Sequence, residues 1–138
     1  MIKKVIYASI ILTFVFSISS CCKCSPDVKH LDTIYVENFS SSEIVNPNII
    51  ISYVATKDTV ALTIDTSNAV SYHIKLRAQK TLDIHGDWLV RLNDSLHYTV
   101  NGFQTQTGTR SCCNGVTFLS SYQVNGEQKK LSSVSIEK

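Results

Sequence analysis

Apolar residues recur at every second position over many short runs, and that alternation constrains this chain more than any other feature. Taking one parity within each run gives Ile34 and Val36, then Ile49, Ile51, Tyr53 and Ala55, then Val60, Leu62 and Ile64, then Val70, Tyr72, Ile74 and Leu76. The pattern resumes at Leu82 and Ile84, at Trp88, Val90 and Leu92, at Leu96, Tyr98 and Val100, and at Val116, Phe118, Tyr122 and Val124. Between them lie mostly polar residues, among them Thr59, Thr63 and Asp65, His73, Lys75 and Arg77, and His97, Thr99 and Asn101. Successive side chains of a strand point to opposite faces, so a period of two describes strands with one face buried and one wet. Beyond residue 20 the chain holds 31 Val, Ile and Thr residues against four Ala, a composition that suits a pleated, half-buried surface.

Turn residues punctuate the runs: Lys57-Asp58, Ser67-Asn68, Gly86-Asp87, Asn93-Asp94-Ser95, Asn101-Gly102 and Asn125-Gly126. The last is the clearest hairpin signal, because Asn-Gly accepts the positive φ angles of a two-residue turn. It is expected to join Val116–Val124 to a closing strand through Leu131, Val134 and Ile136. Leu131 and Val134 have opposite parity, so that strand needs a bulge near Ser132 or Ser133, or begins after them. The fold class expected is all-β: an immunoglobulin-like or transthyretin-like β-sandwich of about seven to nine short strands, with a small β-barrel as the alternative.

The start of the chain obeys different rules. Lys3 and Lys4 precede an uncharged run from Val5 to Ile18 that is too short to span a bilayer, which takes about 20 apolar residues. A basic start, a short apolar stretch and small residues before a boundary describe a secretory signal peptide. Here the boundary is Ile18-Ser19-Ser20-Cys21, which resembles the lipobox of bacterial lipoproteins. The resemblance covers residues 1–21 alone. It implies that Cys21 takes a diacylglycerol thioether, that the leader is removed before it, and that the new amino terminus is acylated. Two or three chains anchor a protein lastingly where one does not. By the same resemblance, Cys22 after Cys21, rather than an inner-membrane-retaining Asp, implies the outer membrane, and the lack of an immediate acidic cluster of the surface-exported kind implies its periplasmic face. The alternative is ordinary cleavage near Ser19 or Ser20 and free secretion. Residues 1–20 are thus read as signal peptide, 21–32 as lipidated cysteine and tether, and 33–138 as one domain.

With Cys21 lipidated, Cys22, Cys24, Cys112 and Cys113 remain, an even number in an oxidising compartment. Adjacent Cys112 and Cys113 bond poorly to each other, since neighbouring Cα atoms are about 3.8 Å apart and disulfides prefer 4.4 Å or more. Bonds between the tether pair and the pair in a loop from Gly108 to Gly115 are therefore expected, in a pairing left open. The rival reading uses the four thiols for a soft metal or for redox work, though their spacing matches no standard zinc motif.

Other constellations are weaker. His73 and His97 lie on the polar parity, His85 precedes a turn and His30 lies in the tether, so all four are expected as exposed bystanders. Ser95, His97 and Asp94 sit too close in one hairpin to activate a nucleophile, and there is no Gly-x-Ser-x-Gly elbow. Asp83, Asp87 and Asp94 do not follow calcium-loop spacing. Tyr35, Trp88 and Phe103 offer a recognition surface, but Trp88 shares the parity of Val90 and Leu92 and is expected in the core. Eleven basic and eleven acidic residues balance beyond the leader, which argues against a nucleic-acid partner. The expectation is a non-catalytic binding or structural module with no cofactor, held at the membrane by Cys21 and meeting a protein partner in the envelope. Its alternative is a metal-handling or thiol-redox lipoprotein.

Overall fold

The structure, a computed structural model, describes residues 27–44, 49–65, 73–110 and 113–138. The leader, Cys21, Cys22, Cys24, Cys112, Ser67-Asn68, Val70 and Tyr72 lie outside the described residues. The all-β expectation is met by nine strands in one sheet curled into a half-barrel. They are β1 (Thr33–Glu37), β2 (Ile50–Tyr53), β3 (Thr59–Ile64), β4 (His73–Ala78), β5 (Trp88–Arg91), β6 (His97–Arg110), β7 (Cys113–Val124), β8 (Glu127–Lys129) and β9 (Val134–Glu137). Their order across the sheet is β8-β7-β6-β5-β2-β3-β4-β1-β9. All neighbours are antiparallel except β1 and β9, which run parallel with Ile34 opposite Val134 and Val36 opposite Ile136.

The alternating residues become the concave, dry side of this curl. Ile34, Val36, Ile51, Val60, Leu62, Leu76, Trp88, Val90, Val100 and Tyr122 are all buried in one core. Trp88 and Tyr122 are its largest fully buried side chains. Alternation weakens at strand ends, where Ala55 and Ile64 are exposed. One short helix, α1 (Ser41–Ile44), follows β1 and places Ile44 in the core. At its start Ser40 donates its main-chain N–H and its hydroxyl to Glu43 Oε2, each at 2.9 Å, the carboxylate half of a capping box, while the Glu43 N–H donates to Ser40 O at 3.0 Å.

Four expectations are corrected. Leu82 and Ile84 form no strand; they lie in the loop 79–87, and Leu82 is buried because its N–H donates to Leu31 O at 2.7 Å and draws the loop inward. Asn101-Gly102 is not a turn. Strand β6 runs through it, and Gly102, at φ 60°, supplies the positive φ of a bulge while Asn101 pairs Gln123 and Gln104 pairs Ser121. The Gly108–Gly115 loop is likewise mostly strand, since the ladder continues to Arg110 opposite Cys113. Finally, Asn125-Gly126 does make a tight hairpin, but it leads into β8, three residues long; the segment with Val134 and Ile136 begins after Ser133 and joins β1 instead.

The ends of the curled sheet meet without a backbone ladder. The Tyr122 hydroxyl on β7 accepts from Ser135 N at 2.7 Å on β9 and reaches Ser135 O at 3.3 Å. Alongside it, Lys129 of β8 lies 3.8 Å from Glu137 of β9. Side chains therefore form a seam between the two edges.

Candidate functional site

Two features stand apart from the core: a cleft beside the loop 79–87, and the ribbon made by β6 and β7. The cleft has a volume of about 410 Å³ and is lined by Tyr53, Thr56, Asp58, Lys80, Asp83 and His85. Asp83 organises it. Its N–H donates to the Tyr53 hydroxyl at 2.9 Å, and its carbonyl accepts from the Trp88 indole at 2.6 Å, so its backbone is tied to the core. Its carboxylate, turned outward, accepts from His85 N at 2.9 Å and lies 2.7 Å from His85 Nδ1. Those bonds, the main-chain one foremost, lower the Asp83 pKa below the ordinary carboxylate value.

With side chains 63% and 90% exposed, Asp83 and His85 are solvated and screened by water. The cleft offers one ammonium, two carboxylates and an imidazole to a small polar ligand, and encloses none of them.

In the ribbon, β6 has β5 on one edge only from His97 to Val100, and β8 covers β7 only from Tyr122 to Val124. From Asn101 to Arg110 the outer edge of β6 has no strand beside it among the described residues. Gln104, Thr105, Gln106 and Thr107 are consecutive and exposed. Thr107 and Thr117 hydroxyls meet across the ladder at 2.9 Å, and the Ser120 hydroxyl donates to Gln104 O at 3.0 Å.

Of the residues singled out from sequence, Cys113 opens β7 at the far end of this ribbon, and the 3-10 turn Val28–His30 packs against β7. His73 and His97 are exposed, as expected, with His73 3.7 Å from Glu37. The His97 ring meets the main-chain oxygen of Asp94 at 3.2 Å, and Asp94 and Ser95 are exposed, so the three do not assemble as a triad. Trp88 is core, and Phe103 packs on it with ring centres 4.5 Å apart; they form no surface with Tyr35, which lies on β1. Among the described residues no group of three or more His, Cys, Asp or Glu is placed to hold a metal.

Sequence reasoning missed the ribbon because Asn-Gly reads equally as turn or bulge. It passed over Lys80, and weighed Asp83 only against calcium-loop spacing, because an irregular loop has no period. The Ser40-x-x-Glu43 capping signal was there to be read. The chain has no match among protein-family models, curated proteins or solved structures.

Proposed function

We propose that this chain is a lipid-anchored, non-catalytic binding module of the bacterial cell envelope, held at the outer membrane through Cys21 and facing the periplasm. One observation carries the anchor: a basic start and a short apolar run close on Ile18-Ser19-Ser20-Cys21. The contact element in this reading is the β6–β7 ribbon, whose exposed edge is suited to strand addition, in which main-chain hydrogen bonds supply affinity. A lipid restricts the module to a surface and so raises its effective concentration for partners there.

The same reading joins Cys22 or Cys24 to Cys112 or Cys113. It is supported by parity, four cysteines remaining once Cys21 is lipidated, and by the poor fit of a bond between neighbouring residues. Closing a loop of about 90 residues stabilises a fold by roughly 4.5 kcal/mol in the chain-entropy model.

Cys21→Ser tests the anchor, because the thioether must form on that sulfur before such a leader is removed. The variant is expected to keep its leader and lose its lipid. Mature Cys21→Ser protein in detergent-extracted membranes would overturn the reading.

A further inference from the structure

Exposed strand edges in native proteins are usually blunted by Lys, by Pro, by shortness or by a covering loop. Among the described residues the outer edge of β6 has none of these over the stretch that matters. From Asn101 to Thr109 the sequence contains no Lys, Asp, Glu, Arg or Pro. Among the described residues, no main-chain to main-chain hydrogen bond outside the β7 ladder is made there, and the Ser120 hydroxyl that meets Gln104 O comes from β7 itself.

We infer that this edge pairs with the same edge of a second copy of the chain, antiparallel, about a two-fold axis through Gln106. The inference deepens the reading of the ribbon as contact element and rests on it, but owes nothing to the lipid. Symmetry argues for this occupant. A two-fold interface must be complementary to itself. Centred on Gln106, the register sets Thr105 opposite Thr107 twice, Gln104 opposite Gly108 twice and Gln106 opposite its own copy. Thr-Thr pairs are favourable neighbours across strands, and no like charges face each other. The strand is also regular over this stretch. Its own extra residue falls at Gly102 or Phe103, and the later register shifts insert residues into β7 rather than β6. Gln104 to Gly108 therefore present an even edge about their midpoint, with both faces wet at Gln104 to Thr107.

Sedimentation equilibrium of the full-length chain in density-matched detergent tests this, with a reversible dimer expected. In Thr105→Lys/Thr107→Lys every new ammonium faces another across the axis, and the dissociation constant should rise at least about tenfold. In Thr105→Lys/Thr107→Glu each new charge faces its opposite, and dimerisation should stay near that of the parent. Equal thermal midpoints identify variants that keep the fold. Gln106→Glu is a second route: two carboxylates meet at the axis, so the dimer should weaken at neutral pH and recover on acidification. A monomer at every concentration, equal behaviour of the two double variants, or pairing with a segment of another protein in place of a second copy would overturn the inference. Retained membrane attachment with a monomeric parent would remove the pairing alone. Attachment that survives Cys21→Ser would remove the anchor instead.

Discussion

Trp88 holds three parts of the molecule at once. Its ring is fully buried against Phe103, its backbone pairs Tyr53 on β2 and Val100 on β6, and its indole N–H fixes the Asp83 carbonyl in the loop beside the cleft. Trp88→Ala is expected to lower stability by about 3 to 5 kcal/mol, a large part of the 5 to 15 kcal/mol usual for a domain. Chemical denaturation measures it, and an unchanged midpoint would contradict the core assignment. Glu43 acts at the surface through charge. Its bond to Lys138, and then its bonds to Ser40, hold its pKa at about 2 against an ordinary 4.5. Because the folded-state value is the lower one, the stabilisation is complete above about pH 4.5 and is lost as pH falls toward about 2. Lys138→Met should move the Glu43 titration, followed by carboxyl NMR, back up toward 4.5. It should also flatten the loss of stability across that acid window. A Glu43 titration unmoved by Lys138→Met would refute the pairing.

Elements are legible in this sequence where periodicity holds and obscure where a bulge resets it. Ile34 and Val36, Val60 and Leu62, and Trp88 and Val90 fall on the buried side as alternation requires. In β7, by contrast, the ladder skips Ser120 between Gln104–Ser121 and Thr105–Leu119, so Leu119 joins the core with Tyr122 while Phe118 points to the other face, over Gly108. A fixed parity carried through Ser120 finds Phe118 and misses Leu119. The pairing of β9 was hidden for another reason: its partner β1 lies about a hundred residues away, and no local signal encodes a contact that distant. Tyr122 is the bridge from β7 to that strand. Burial raises its pKa, and its hydroxyl satisfies the buried Ser135 N–H. Tyr122→Phe keeps the ring and removes that acceptor, so a loss of about 1 to 3 kcal/mol is expected, the range for orphaning a buried polar group. Hydrogen exchange should show faster exchange concentrated at Ser135. Unaltered protection there would show that the hydroxyl does not hold the seam.

At the scale of the whole molecule, one curled sheet encloses the core and brings its own ends, β8 and β9, side by side through Tyr122, Ser135, Lys129 and Glu137. Among the described residues that closure leaves the ribbon of β6 and β7 with an unpaired edge, which the sequence hid because β6 runs on through Asn101-Gly102, where a turn was expected. The cysteine frame and the lipid signal, in contrast, are read wholly from sequence, since they depend on spacing and chemistry rather than on packing. They bear on the central claim, that the domain is a stapled module on a lipid anchor. Intact mass of the full-length gene product purified from membranes, with and without thiol alkylation, tests both halves together. The predicted mass is that of a chain beginning at Cys21 and carrying two or three acyl groups, with no added alkyl mass until the sample is reduced. A chain beginning at any other residue, an unmodified Cys21, or alkylation of the four remaining cysteines without reduction would contradict it.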